Sequence, residues 1–338
     1  MAHGDRYCHT VVALDGDFAM AKAIPDALAV EYVLADHDKR AGLLNVPAFR
    51  TLLRGRKPDV LVTYNWGAIE WSLANRWFPV APHIHIEDGF GPEEANRQLA
   101  RRVWLRRIAL SGKHTRVVVP SRQLERIARN VWHLPGRGLR YLPNGVDCSR
   151  FVSRTDPRES SRPLVIGTVA ALRPEKNIGR LIHAFAALAQ ERPSMALELV
   201  IVGDGPEGAA LKATAQATGR GSQIRFTGAT PTPELALREM DIFAISSNTE
   251  QMPLSVLEAM ATGLPISSVA VGDISEMVAE ENLPYVARQD DELGFRDSLR
   301  SLLDDANLRE KLGRANRAIA LARFDRAQMA ARYLELFG

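Results

Sequence analysis

Short apolar runs separated by longer amphipathic stretches set the rhythm of this chain. Runs rich in Val, Ile and Leu fall at His9–Asp15, Asp59–Asn65, Pro82–Glu87 and Thr115–Ser121. They resume at Pro163–Ala170, Leu197–Gly203, Gln223–Gly228, Asp241–Ser246 and Leu264–Ser268. Each run has strand length, and the segments between them carry helical periodicity. The pattern predicts an α/β fold with parallel sheets built from βαβ units. Ser149–Arg162 is polar and rich in turn formers, so it reads as a linker between two Rossmann-like halves. A last helical run, 322–338, is placed to pack back across the first half.

A length of 338 residues fits two domains, expected at 1–150 and 163–321. Composition is that of an ordinary soluble α/β protein, 46% hydrophobic and 25% charged. No apolar run reaches the length of a membrane span, and no signal peptide opens the chain. Cys8 and Cys148 lack metal-ligand spacing and form no disulfide framework, which fits a reducing cytoplasm. Charge is uneven. Residues 1–150 hold 22 Lys and Arg against 15 Asp and Glu, while the remainder holds 21 against 25. The first half is therefore the side to meet an anionic acceptor or a membrane surface.

The segment with the most chemistry is Ser246–Ser268, SSNTEQMPLSVLEAMATGLPISS. Pro253 suits a first helical position, Leu254 to Ala261 are good helix formers, and Gly263 with Pro265 ends the run. Glu250 then lies just before a helix N-terminus and Glu258 more than a turn inside it. The free N–H groups and positive dipole end between them form a phosphate site. Carboxylates on either side can accept from hydroxyls of a sugar and a ribose. Taken alone, the same two glutamates also read as surface charges beside an αβ turn.

Gly203-Asp204-Gly205-Pro206-Glu207-Gly208 is a literal GxGxxG after a buried strand. A dinucleotide reading needs an acidic residue at the end of the following strand, and IRFTGAT ends without one, so NAD is set aside. In RPEKNIGRLIHAF, Arg173 and Lys176 stand at a strand-to-helix junction. There they either neutralise a diphosphate without a metal or form a solvated turn. His83 and His85 share one face of an apolar strand, where core packing is their ordinary role. Glu87 and Asp88, just beyond, are placed to bind or polarise acceptor hydroxyls, Asp88 first. The helix Asn96–Ser111 carries Arg97, Arg101, Arg102, Arg106 and Arg107. It reads equally as a solvated basic face and as a surface for anionic lipid or a lipid diphosphate. No nucleic-acid module accompanies it.

Several of these segments resemble family 4 glycosyltransferases. SxxExxP, the Glu-x7-Glu spacing and EAMAxGLP carry the likeness, with VGDGPEGAALKATAQATG and YLPNGVDCSRF in support. The resemblance runs from about His9 to the end and is strongest over Val165–Val278. It implies the GT-B fold and metal-free retaining transfer of a hexose from a UDP- or GDP-sugar to a saccharide or lipid-linked acceptor. It also implies envelope polysaccharide or glycolipid synthesis at the inner membrane face. Carried over residue by residue, Lys176 and Arg173 hold the diphosphate, and Gly203 and Gly205 bring backbone close to the nucleotide. Glu250 meets sugar hydroxyls, the backbone of Met252, Pro253 and Leu254 meets the sugar phosphate, and Glu258 meets the ribose. Three features depart from the family. Ala171 stands where its R-x5-K clamp begins, Asp88 where a histidine precedes glycine, and the chain opens almost at the second strand. These departures leave a second expectation: a donor-binding pseudo-transferase that needs a partner or an upstream segment.

Overall fold

The computed structural model describes residues 7–14, 16–18, 21, 24, 28–35, 41–90, 94, 97–154 and 162–337. The chain divides into two compact units, Met1–Leu142 with Ala330–Gly338, and Pro143–Met329.

The first unit contains β1 (His9–Val12), β2 (Val30–Val33), β3 (Leu61–Tyr64), β4 (His83–Ile86), β5 (Thr115–Val119) and β6 (Leu139–Tyr141). They form two separate parallel sheets, β1-β2 and β3-β4-β5-β6. Among the described residues the strand β3 pairs with β4 alone. Its Leu61 and Thr63 are buried, whereas Val62 and Tyr64 stay 45% and 51% exposed. Val12, Leu14 and Ala35, from the small sheet and its flanks, pack against the core cluster that holds Leu61, Phe49 and Trp71. The sequence expectation of a missing opening βα unit concerns residues before this pair, and 1–6 lie outside the described residues.

The second unit contains β7 (Leu164–Val169), β8 (Leu197–Val202), β9 (Ile224–Gly228), β10 (Ile242–Ile245), β11 (Ile266–Val269) and β12 (Val286–Ala287). All pair in parallel, in the order β12-β11-β10-β7-β8-β9. The central strands are covered on both faces, so they are continuously apolar and not alternating. The helix Ile178–Glu191 turns Leu181, Ile182, Phe185 and Leu188 into the same core. Two buried asparagines tie the later helices down. Asn316 Nδ2 donates to Asn282 Oδ1 at 2.9 Å and to the Leu264 carbonyl at 3.0 Å, and Asn282 accepts from Ile266 N–H at 3.0 Å.

The division between units falls at Leu142, ahead of the Ser149–Arg162 segment, of which 155–161 lie outside the described residues. The reason is local bonding. Val146 N–H donates to the Phe324 carbonyl at 2.8 Å, and Arg326 N–H returns to the Val146 carbonyl at 2.9 Å. The last helix, Arg326–Phe337, ends on the first unit, where Arg116 donates to the Leu336 carbonyl at 2.5 Å.

Gly203, at φ 138°, is held so close that an added Cβ would lie 1.8 Å from the Ala170 carbonyl oxygen. Gly219, at φ 72°, has nothing within 4 Å of an added Cβ. Urea unfolding of Gly203→Ala is therefore expected to show a loss of about 3 kcal/mol or more, against about 1 kcal/mol for Gly219→Ala. Equal losses would contradict this packing.

Candidate functional site

In the six-stranded sheet the neighbours of β7 and β10 run off in opposite directions. Loops leaving the carboxyl ends of such a pair diverge and open a crevice. After β7 the chain makes a tight turn, Pro174–Lys176, and Asn177 (φ 43°) starts the next helix by accepting from Arg180 N–H at 3.3 Å. After β10 it runs through 246–253 into the helix Leu254–Thr262.

Polar bonds knit the two loops. Asn248 N–H donates to the Glu175 carbonyl at 2.8 Å, and Ser246 Oγ donates to the carbonyls of Lys176 and Asn177 at 3.2 and 2.9 Å. Asn177 Nδ2 meets Asn248 Oδ1 at 3.0 Å, and Arg180 donates to the Ser246 carbonyl at 3.2 Å. At the centre Lys176 Nζ donates to Glu250 Oε1 at 2.6 Å, which also accepts from Ser247 Oγ at 2.7 Å. Gly272, at φ 57°, backs the loop, since a Cβ there would lie 2.5 Å from the Gln251 carbonyl oxygen. Sequence reasoning singled out Lys176 and Glu250 separately but missed Asn177, Arg180, Ser246 and Asn248. The Asn after RPEK, a helix-start signal, was the available clue.

Pro253 is the N-cap, one position earlier than the sequence suggested, because its ψ of 119° is still extended. No side chain caps this end, so the first N–H groups are left for another acceptor. Met252 is buried, and its carbonyl accepts from Asn144 Nδ2 at 3.4 Å. Leu254 is exposed. Arg173 is also exposed and begins the Pro174–Lys176 turn. Glu258 sits on the fifth position of the helix, near the Arg150–Glu234 pair, which closes at 2.6 Å. Burial raises its pKa to about 7; Arg150 opposes the shift and Glu234 adds to it.

Gly203 and Gly205 lie on the loop after β8. Both press against backbone: a Cβ on Gly205 would lie 2.5 Å from the Leu172 carbonyl oxygen. Leu172 N–H donates to the Asp204 carbonyl at 2.9 Å, and Glu207 N–H to the Leu172 carbonyl at 3.0 Å. These glycines thus let the β8 loop brace the loop that carries Arg173 and Lys176.

Asp88 belongs to the first unit. Its Oδ2 accepts from the Tyr64 hydroxyl at 2.9 Å, and its N–H donates to Asn65 Oδ1 at 2.8 Å. Burial, with the Asp88 charge second, pushes the Tyr333 hydroxyl up to about 12. His83 and His85 are core residues, both held at 2.8 Å by Thr63 Oγ1. Burial, with His85 beside it, lowers the His83 pKa to about 3 and keeps it neutral.

Glu87 is fully buried, which removes it from any acceptor role. It accepts from Arg106 Nε at 3.2 Å, and Arg106 grips Glu94 through two nitrogens at 3.1 and 3.0 Å. Trp66, Phe90 and Trp132 surround this guanidinium at 5.0–5.4 Å from their ring centroids. Burial raises the Glu94 pKa, but the hydrogen bonds and charge of Arg106 outweigh it and hold the carboxyl below its usual range. The basic helix, Ala100–Leu110 in the structure, is therefore not uniformly solvated. Arg106 is internal, Arg102 is half-buried against Glu94, and Arg97, Arg101 and Arg107 are exposed. Trp104, on the same helix, is 61% exposed.

A family model for glycosyl transferases group 1 matches residues 149–319, and one for glycosyltransferase family 4 matches 5–150. The D-inositol 3-phosphate glycosyltransferase of Corynebacterium efficiens is 28% identical over 288 residues, 77% of this chain and 66% of that protein. The chain spans less than two thirds of the length of similar enzymes from Streptomyces avermitilis and Nocardia farcinica, 64% and 61%. A glycosyltransferase structure from Rickettsia africae superposes with a TM-score of 0.79 at 14% identity, over 98% of this chain and 90% of that one. Anabaena HepE, solved with UDP, gives 0.73 at 18% identity, over 91% and 85%. At such identities the likeness is one of fold, and the fold is GT-B.

Two outcomes follow from these environments. Because the native Glu258 pKa lies above the unfolded value, folding binds a proton, and stability is lost as pH rises from about 4.5 to 7. The melting temperature of Glu258→Gln should therefore gain on the parent between pH 5 and 8, and a constant gap would contradict the assignment. Arg106→Met strands two buried carboxylates and should cost about 3–5 kcal/mol, whereas Arg101→Met should stay within about 0.5 kcal/mol. Chemical denaturation of the two variants measures the difference.

Proposed function

Because the chain belongs to the family 4 glycosyltransferases, with the group 1 region in its second unit, we propose that it is a retaining hexosyltransferase. It takes the sugar of a UDP- or GDP-sugar to a saccharide or lipid-linked acceptor. The observation that carries this reading is the Lys176–Glu250 contact, 2.6 Å long, between the loops that follow β7 and β10. Cation, carboxylate and an uncapped helix N-terminus converge there at the carboxyl edge of the sheet. A nucleotide diphosphate replaces Glu250 as the partner of Lys176, with Arg173 and the first N–H groups of the helix Leu254–Thr262 as further donors. Glu250, released, accepts from sugar hydroxyls, and Glu258 accepts from ribose hydroxyls as a carboxylate. The UDP held by Anabaena HepE supports trying uridine donors first.

In the transfer, an acceptor hydroxyl attacks the anomeric carbon on the face of the leaving group. The bond from that carbon to the diphosphate oxygen breaks as the new glycosidic bond forms. The departing phosphate takes the hydroxyl proton. Lys176, Arg173 and the helix dipole stabilise the charge that develops, so the proposal requires no metal. Asp88 is the candidate to orient the acceptor. The exposed face Arg97, Arg101, Trp104 and Arg107 suits an anionic, lipid-borne acceptor at a cytoplasmic membrane face. No helix among the described residues is long and apolar enough to cross a membrane.

A second reading has its own observation. The first unit carries its strands in two sheets, with Val62 and Tyr64 of β3 uncovered. A strand and helix supplied by a partner or by further chain would join such sheets. On that reading the protein binds donor but turns it over only when completed.

Turnover of a panel of UDP- and GDP-sugars separates the readings. Lys176→Ala and Glu258→Ala should each lower turnover at least tenfold, about 1.4 kcal/mol. Parental turnover in both variants would overturn the site, and donor binding without turnover across the panel would favour the second reading.

A further inference from the structure

A cavity of about 370 Å³ lies in the first unit, between the β5-β6 face and the last helix, far in sequence from the loops described above. Arg116, Arg140 and Arg332 line it, with Tyr141 and Leu142 at its wall and Glu335 as the acidic member. Val118 pairs with Arg140, so Arg116, two residues before Val118, shares one sheet face with Arg140. Arg332 comes from the helix that covers this face.

None of the three guanidinium groups has a carboxylate partner among the described residues. Arg116 donates to the Leu336 carbonyl at 2.5 Å, and Arg140 to the carbonyls of Arg137 and Leu139 at 3.0 Å each. Carbonyl partners satisfy hydrogens but leave charge uncompensated. Three cations facing one carboxylate leave the cavity two charges positive, which matches a phosphate dianion. Guanidinium geometry favours bidentate contact with phosphate oxygens.

We propose that this cavity binds a phosphate-bearing anion, which bridges the β5-β6 face to the last helix through Arg116, Arg140 and Arg332. The transferase reading uses none of these residues. Occupancy would fasten the chain terminus to the first unit and couple its stability to a phosphorylated small molecule or headgroup.

Calorimetric titration of the full chain with inorganic phosphate and with pyrophosphate, at low salt, tests this. Lys176→Ala serves as background, so that phosphate at the loops after β7 and β10 does not contribute. In that background Arg140→Gln and Arg332→Gln should each weaken binding at least tenfold. Glu335→Gln, on the exposed helix face, should strengthen it about threefold. This opposite sign keeps the test informative if an arginine variant melts early. Displacement of phosphate by phosphatidylglycerol vesicles, and not by phosphatidylcholine vesicles, supports the site and makes a lipid headgroup its source. Lack of displacement supports it with a free phosphate ester as the source. Absence of binding by folded protein, or equal affinity in the parent background and Arg332→Gln, would overturn the proposal.

Discussion

The structure depends first on a constraint of parallel sheets: two adjacent strands cannot send their following helices to opposite faces without parting the loops between. In the second unit that parting occurs between β7 and β10. The chain meets it with polar side chains, because loop backbone at a sheet edge needs partners it cannot find in the ladder. Ser246, Asn248, Asn177 and Arg180 supply them. The crevice is thereby held open and rigid at once, with one ion pair, Lys176–Glu250, across its middle. That pair is half-shielded, so a multiply charged ligand able to satisfy the lysine better displaces the carboxylate at modest cost.

Two carboxylates, Glu87 fully buried and Glu258 partly so, show how differently the units handle charge. Glu87 accepts from Arg106, whose guanidinium is ringed by aromatic side chains, and serves structure. Glu258 has no such cage, and its raised pKa reflects burial that the charge of Arg150 only partly offsets. A carboxyl in that state can accept through its carbonyl oxygen even when protonated, and accepts with both oxygens only as the carboxylate. The cost of burying Glu258 thus appears as pH-dependent stability of the free protein.

Much of the fold was legible because parallel strands buried on both faces are continuous apolar words in the sequence. LVIGTV and LELVIV announce β7 and β8. The strands β2, β6 and β12 were not, for physical reasons: β2 is half-exposed, and β6 and β12 have three and two residues. The split of the first unit into two sheets depends on pairing, which no local pattern encodes. At the candidate site Glu250, Glu258 and Lys176 could be read from helix-start signals and spacing. Their mutual placement could not, because it depends on sheet order. The arginine helix shows the same limit. Five arginines look alike in sequence, and only packing divides buried Arg106 from exposed Arg97, Arg101 and Arg107.

The central claim is that the crevice between β7 and β10 receives a nucleotide diphosphate. Amide hydrogen exchange with and without saturating UDP or GDP tests it most directly. The account predicts added protection confined to the turn 173–177, the β8 loop at 203–205 and the segment 248–258. Protection elsewhere, or none with either nucleotide in a chain that turns over a nucleotide sugar, would contradict it.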